Sequence, residues 1–575
     1  MDKALSVILG YMKERLEGMI AAAIRDLFNI DIKIDVSRPE KEFGDYATNA
    51  ALQLAPKLKR QPHEIAEQLQ PRLSEALSDY SESVTIADPG FINIRLKEAA
   101  LWYQAQIAFS KPTNGQTVVI EYSDPNPFKM LHAGHLYTSI VGDAIANLLS
   151  STGASVHRVN FGGDVGLHVA KTLWAIIFYE GQGNLDNDVV WHKVQALTSK
   201  TIEERTAWLA DYYTKGNNAY KLDLVGAKAA IDELNKQIYK FHEDNDHASA
   251  IAQIYWTCRD WSYSYFDKFY DLVGIHFEKF YPESETVDIG IQKVREHIGD
   301  VFTESDGAVV FTGEDHGLHT RVFITSQGLP TYEAKDVGLL FKKWDDYHFT
   351  RSIVITSYEQ TQYMAVVLKA IEQFAPDLAH ASQHITHGEV KLTGAKKMSS
   401  RLGNIVKAIE VLNTTADTYF ALTGKRDDRV ILGAVKYAFL KQRLGSDIIY
   451  NPIDSVSLEG NSGPYLQYAY VRASSILSKT EPDDSPVENL QPDERKLLLK
   501  ISEYQEVIDK AIAERLPHYI CTYLYELAQI FNQFYEHNRV IGNDREAVRI
   551  KLVRCYTCTL RAGLELLGVP VLDTM

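Results

Sequence analysis

From residue 117 the hydrophobic pattern of the chain is that of a sheet wrapped by helices. TVVIEYS (117–123) is a short β-branched and apolar run, as expected of a strand buried on both faces of a parallel sheet. DPNP (124–127) breaks it, and HAGHLYTSIVGDAIANLLSSTG (132–153) takes up the spacing of an amphipathic helix ending near Gly153. SVHRVNF (155–161) predicts a second strand, with GGDVG (162–166) as its glycine-rich exit. Strand, turn, helix, strand is a βαβ unit, the opening of a doubly wound parallel sheet.

The flanks read differently. Residues 1–110 predict a small α+β unit: helical periodicity opens it, FGDYATNAALQLAPKL (43–58) gives a turn and a helix, and GFINIRL (90–96) alternates as a strand. KPTNG (111–115) follows as a linker. Residues 180–290 are charged, aromatic and helical, as expected of an insertion into the sheet domain. Sheet-like runs resume at AVVFTGE (308–314) and RVFITSQG (321–328). A helix follows from about Tyr332, then a strand in SIVITSY (352–358) and a helix in EQTQYMAVVLKAIEQF. From about residue 410 onward the periodicity is helical throughout.

Composition refines this picture little. A chain of 575 residues exceeds one ordinary domain, and 45% hydrophobic with 24% charged residues is the balance of a soluble globular protein. No uncharged apolar run reaches the roughly 18 residues of a membrane span. Lys13, Glu14 and Arg15 interrupt the apolar N-terminus, unlike a signal peptide. Cys555 and Cys558 form a CYTC stretch in a helical context, and no second pair completes a zinc set. Few cysteines and no export signal place the expectation in the cytoplasm. The net charge of −16 argues against a polyanionic partner, but five Lys/Arg face one Glu in 387–407, and six face three acidic residues in 536–561.

Two stretches carry candidate chemistry. HAGH opens a helix directly after a parallel strand, where ligands of open α/β sheets bind and where helix N-termini favour phosphate. His132 and His135, at i and i+3, can both face the crevice, and Gly134 permits close approach of a base or phosphate. A packing pair is the alternative; a metal pair is disfavoured, because no carboxylate or third ligand stands at HExxH-like spacing. In HGEVKLTGAKKMSSRLGNIV (387–406), Lys396, Lys397 and Arg401 can neutralise a triphosphate, while Ser399, Ser400 and backbone N–H groups can donate to it. A solvated basic loop is the alternative there.

In this order, some 260 residues apart, the two stretches resemble the HIGH and KMSKS signatures of class I aminoacyl-tRNA synthetases. Their flanks narrow the resemblance to the arginyl-tRNA synthetases. IEYSDPNPFKMLHAGHLYTSIVGDAIANLL is similar to that family's strand–HIGH–helix segment, and FGGDVGLHVAK (161–171) to its GDWGTQFG segment, with Val165 in place of the usual Trp. TYEAKDVG (331–338) resembles its Y-x-x-x-D motif, and NSGPYLQYAYVRASSIL (461–477) the opening of its anticodon-binding helices. FGDYATNAALQLA (43–55) resembles the N-terminal domain these enzymes add. The resemblance spans nearly the whole chain. It implies an α/β fold: a Rossmann-like parallel-sheet catalytic domain (111–410) with a helical insertion (about 180–290), an N-terminal α+β tRNA-contacting domain (1–110) and a C-terminal all-α anticodon-binding bundle (411–575).

The resemblance also implies the reaction, ATP-dependent ligation of L-arginine to tRNA(Arg) through an arginyl-adenylate, with release of pyrophosphate and AMP. Catalytic roles fall to His132, His135, Lys397 and Lys129. The ATP site adds Gly134, Ser399 and Ser400, and Mg²⁺ comes with the nucleotide rather than in a fixed protein site. Arginine contacts fall to Glu121, Ser123, Asn126, His132, Tyr332, Asp336 and Gln360. The chemistry agrees: a planar guanidinium fits a carboxylate and an aromatic face, and Tyr332 and Asp336 share one helical face. Against KMSKS the loop reads Lys397-Met398-Ser399-Ser400-Arg401, so the second lysine is absent. In the family a lysine just before HIGH compensates; Lys129 holds that place, with Arg401 the competing source of charge. Tyr465 and Tyr468, or residues of FNQFYEHNR (531–539), are candidates for stacking on anticodon bases. A monomer is implied. A class I synthetase for another amino acid, a small HxGH nucleotidyltransferase and a catalytically silent tRNA-binding relative are the competing readings.

Overall fold

The computed structural model describes residues 12–107, 114–182, 187–393, 406–480 and 489–574. Its centre is a five-stranded parallel sheet built from β1 (Thr117–Glu121), β2 (Ser155–Gly162), β3 (Lys279–Pro282), β4 (Arg351–Ser357) and β5 (Ser382–His387), in the order β5-β4-β1-β2-β3. Val118, Val119 and Ile120 of β1 are all buried, because helices cover both faces. Helix α1 (Ala133–Ser151) lies on one face. Helices α2 (Leu167–Glu180), α3 (Tyr332–Tyr347) and α4 (Thr361–Phe374) complete the scaffold described below. Val119, Val159, Val337 and Val367 join the core under α3 and α4, while Ile120, Ile353 and Leu136 join the core under α1.

Several elements depart from expectation. Lys279–Pro282 falls inside the stretch expected to be helical, yet it pairs in parallel with β2 as the edge of the central sheet. Four residues beginning with a lysine carry too little periodicity to signal a strand. AVVFTGE and RVFITSQG form strands Ala308–Phe311 and Arg321–Ile324, but in a separate antiparallel sheet with Thr303–Ser305. Ser382–His387 is a strand despite its polar sequence, because parallel pairing with β4 supplies what side-chain burial does not. Ile448–Tyr450 interrupts the helical C-terminal half and pairs in parallel with Val390–Leu392. The remainder of the insertion is helical (Asn187–Ala196, Ile202–Leu222, Ala227–Glu243, Ala250–Val273) and shares a core with α2 through Leu173, Trp174, Ile231 and Tyr255.

The N-terminal region sets helices Met12–Phe28, Ala50–Leu58 and Pro62–Ala76 against an antiparallel sheet of Val36–Ser37, Tyr46–Thr48, Phe91–Leu96 and Ser81–Ala87. After Ile448–Tyr450 the chain is helical, with Gly463–Leu477, Pro492–Ser502, Tyr504–Glu514, His518–His537 and Glu546–Leu566 as its main elements. One continuous apolar core joins Leu16 and Ile20 of the first region, Leu136, Ile140 and Ile145 of α1, and Leu497, Leu524 and Leu552 of the last. Each such side chain contributes about 1.5–3 kcal/mol when fully buried.

Candidate active site

Connections leave β1 toward β2 on one side and return to β4 on the other, so the carboxyl ends of β1 and β4 frame the switch point at which open α/β sheets hold ligands. A cavity of about 600 Å³ lies there. It gathers Glu121, Ser123 and Asn126 from the β1 exit, His132, Gly134 and His135 from the start of α1, Tyr332 and Asp336 from α3, and Gln360 from the start of α4.

The two histidines build the first turn of α1 between them. His132 is its N-cap: its Nδ1 accepts from the N–H groups of Gly134 (3.1 Å) and His135 (3.4 Å), while His135 Nδ1 accepts from the His132 N–H (3.2 Å). This is a capping box made with imidazoles. The rings stack with centroids 3.8 Å apart. Burial and then the Lys129 ammonium push the His132 pKa down to about 4, and burial with both neighbours holds His135 well below its usual range. Both rings are therefore neutral near pH 7. With Nδ1 engaged as acceptor, each keeps its proton on Nε2 as a hydrogen-bond donor. Gly134 has a cause internal to the fold: a Cβ there would stand 2.9 Å from the His132 ring.

Across the cavity the chemistry is anionic. Six carboxylates line it: Glu121, Asp124, Glu283, Glu333 and Asp336, with the exposed Glu359 at the rim. Three have cations: Lys343 Nζ donates to Glu121 at 2.6 Å, Lys335 to Glu283, and Arg321 to Glu333 at 3.0 Å. Among the described residues Asp336 receives the Tyr363 hydroxyl alone, and burial followed by repulsion from Glu121 raises its pKa to about 8. Asp124 accepts from the Phe161 N–H at 2.8 Å; burial and the neighbouring Glu121 push it well above the usual carboxylate range. Tyr332, half exposed, borders the cavity one turn from Asp336. A pocket with surplus carboxylates, an aromatic ring and neutral N–H donors at a helix start suits a cation at one end and an anion at the other.

The other expected residues divide. Asn126 accepts from the Gly163 N–H at 2.8 Å and so ties the β1 exit to the β2 exit. Ser123 is buried, its hydroxyl bonded to Tyr270 at 2.7 Å and accepting from Ser139 at 2.8 Å, so it organises the turn from behind. Gln360 is exposed at the rim. Lys129 is not part of the lining; its ammonium sits over the Tyr213 ring, 4.8 Å from the centroid. Lys396, Lys397, Ser399, Ser400 and Arg401 lie outside the described residues. In the C-terminal helices Tyr465 is partly buried and accepts from Asn532 at 2.8 Å, whereas Tyr468 is exposed beside Arg472. Phe531 and Phe534 are core residues. Sequence reasoning passed over Asp124, Glu283, Glu333 and Tyr363; for Asp124 a signal existed, a carboxylate in the turn between two recognised motifs.

Residues 98–451 match the family model for the catalytic domain of class I tRNA synthetases (R). Residues 12–96 match the arginyl tRNA synthetase N-terminal domain, and 466–575 the DALR anticodon binding domain. The chain belongs to the arginyl-tRNA synthetases, ligases that use ATP to join arginine to tRNA in translation. The arginine–tRNA ligases of Chromobacterium violaceum and Phocaeicola vulgatus are 28% and 27% identical to it, over 94% and 98% of this chain and 95% and 100% of theirs. The solved arginyl-tRNA synthetase of Thermus thermophilus superposes with a TM-score of 0.79 at 25% identity, covering 98% of this chain and 100% of that one. The Plasmodium falciparum arginyl-tRNA synthetase gives 0.77 at 21% identity, over 98% and 99%.

Proposed function

We propose that the switch-point cavity is where arginine and ATP meet, with the guanidinium at Asp336 and Tyr332 and the phosphates at the start of α1. The observation that carries this reading is the convergence of His132, His135, Glu121, Tyr332 and Asp336 on one cavity from two stretches of chain about 200 residues apart. Arginine's carboxylate attacks the α-phosphate in line and pyrophosphate departs; a ribose hydroxyl of the tRNA's terminal adenosine then attacks the adenylate, releasing AMP. Such transfers need positioning and charge neutralisation rather than a protein base. His132 and His135 donate Nε2–H to phosphate oxygens, and Lys397, Ser399 and Ser400 receive the departing phosphates. Mg²⁺ bound to the nucleotide would supply further charge neutralisation at those phosphates. Glu121 acts with its Lys343 partner at the guanidinium end, Asn126 and Ser123 hold the turn facing the amino-acid backbone, and Gln360 closes the rim.

Lys129 supplies the charge that the signature loop lacks. In this role it leaves its place over the Tyr213 ring for the phosphates when ATP binds, with Arg401 as the competing source. Adenylate formation in Lys129→Ala is expected to fall more than tenfold, the equivalent of one charged contact of about 1.5–3 kcal/mol. A change within about threefold, with Lys397→Ala inactive, assigns the role to Arg401.

The chain is further proposed to act as a cytoplasmic monomer in three parts, 1–110, 111–410 and 411–575, with Tyr465 and Tyr468 facing the anticodon. Exposure favours Tyr468 over Tyr465 as a stacking surface. The test of the whole reading is adenylate formation with each amino acid, with and without tRNA. Activity with arginine alone, dependent on tRNA and lost in Asp336→Ala, is expected; arginine activity unaffected by that substitution places the site elsewhere.

A further inference from the structure

Lys129 stands three residues before His132, yet it does not line the cavity. Its ammonium rests over the ring of Tyr213, 4.8 Å from the centroid, on the insertion helix Ile202–Leu222. Among the described residues it makes no ion pair and no hydrogen bond. The nearby carboxylates are taken: Lys335 holds Glu283 and Lys343 holds Glu121. Its other charged neighbour is a cation, Lys171 on α2, whose pKa is lowered by burial and then by the Lys129 charge. The same charge adds to the effect of burial on His132, so the phosphate end of the cavity is within its field. A partly buried ammonium beside another cation, held by the face of one ring, is a charge waiting for a partner.

Tyr213 is as open as the lysine. It is partly exposed, and among the described residues it has no hydrogen bond and stacks on no other ring. The reaction brings one flat group to this place. A ribose hydroxyl of the terminal adenosine has to reach the arginyl carbonyl beside the histidines, so its base comes within one nucleotide of His132. Bases of unpaired RNA ends stack on tyrosine rings, a stronger contact than a partly exposed ammonium makes with the same face. We propose that the terminal base of the tRNA stacks on Tyr213 and displaces Lys129, which then turns to the phosphates of ATP. This deepens the role given to Lys129 above and rests on it. Tyr213 is thereby a positioning residue: it keeps a charge out of the ATP site until the acceptor end arrives. The link runs both ways, because ATP that draws Lys129 away frees the ring for the base.

The test is MgATP binding without arginine, followed by isothermal titration calorimetry with and without tRNA(Arg). In the parent chain, tRNA is expected to tighten ATP binding about three- to fivefold, the range one partly exposed cation–π contact supports. Tyr213→Leu removes the ring and is expected to show that tightening already without tRNA, a gain that mere damage to the fold does not produce. Tyr213→Phe keeps the ring and is expected to match the parent. The tRNA KM in Tyr213→Leu is expected to rise about fivefold or more, for the lost stacking. A tRNA shortened by its terminal nucleotide is expected to leave ATP binding at its tRNA-free value. In a Lys129→Ala background, Tyr213→Leu is expected to change ATP binding by less than about twofold, since the two residues act as one unit. Unchanged or weaker ATP binding in Tyr213→Leu without tRNA overturns the proposal, as does full tightening by the shortened tRNA. If Lys129→Ala alone keeps the parent's tightening with tRNA, Lys129 does not serve the phosphates, and the reading beneath the proposal fails instead.

Discussion

At the scale of single residues, the protonation of Asp336 is the group that pH should reveal most directly. With a pKa near 8, it is largely neutral at pH 7 and gains its charge as the pH rises. A guanidinium needs the charged form, so the arginine KM is expected to fall as pH rises from 6.5 to 8 and to level above that; Asp336→Asn should raise KM and flatten the profile. Stability moves the other way. An unfolded Asp ionises near 4, so between about pH 4 and 8 the folded state holds the extra proton and stability declines with rising pH. Asp336→Asn is therefore expected to raise the Tm at pH 8 and change it little at pH 4, as differential scanning calorimetry can show. Tyr332 and Asp336 were legible in the sequence because i and i+4 on a helix define one face whatever surrounds it. Their partners were not: Tyr363 on α4 and Glu121 on β1 reach Asp336 only through tertiary packing. Gly134 was legible as a position of close approach, but its neighbour proved to be the His132 ring, which only the cap geometry discloses.

At the scale of elements, the glycine-rich exit of β2 is fastened by one buried charge. Asp164 is fully buried and accepts from Arg259 Nε (2.9 Å) on helix Ala250–Val273 and from the Ser284 N–H (3.0 Å) and hydroxyl (2.8 Å) after β3. The insertion thus holds the turn whose Gly163 N–H meets Asn126. Arg259→Ala leaves Ser284 in place but strands most of that charge, and it should cost about 3 kcal/mol, the low end for breaking a buried pair. Urea denaturation measures this, and a larger loss in arginine KM than in kcat is expected, because the turn positions rather than reacts. Elements with strong patterns, such as β1, α1 and β2, could be read from the chain nearly to their ends. Lys279–Pro282 and Ser382–His387 could not: edge strands of the sheet draw their stability from backbone pairing, which leaves no hydrophobic signature. The antiparallel sheet around Ala308–Phe311 was visible as strands, but which sheet they joined depends on long-range pairing.

At the scale of the whole molecule, the ends of the chain are bolted together. Arg495 donates to both oxygens of Asp45 (2.9 and 2.7 Å) and to the Leu96 carbonyl (3.0 Å), and Glu506 accepts from Arg38 (2.7 Å) and the Tyr46 hydroxyl (2.5 Å). Arg495→Ala should cost about 2–5 kcal/mol, as truncating one partner of a buried, hydrogen-bonded pair does, and should speed limited proteolysis of the N-terminal region. The sequence reads as three successive parts, each with its own pattern, and that reading misses how the core runs through all of them. The feature with the widest consequence is α1, which opens with the two histidines and then buries Leu136, Ile140 and Ile145 in the core shared with Leu497, Leu524 and Leu552. Grafting the C-terminal helices of a distant relative onto this chain would set foreign side chains against that helix. A working chimera must therefore carry over the inner face of the donor's own catalytic helix as well, and the reaction centre and the anticodon-binding helices can be exchanged only as a pair.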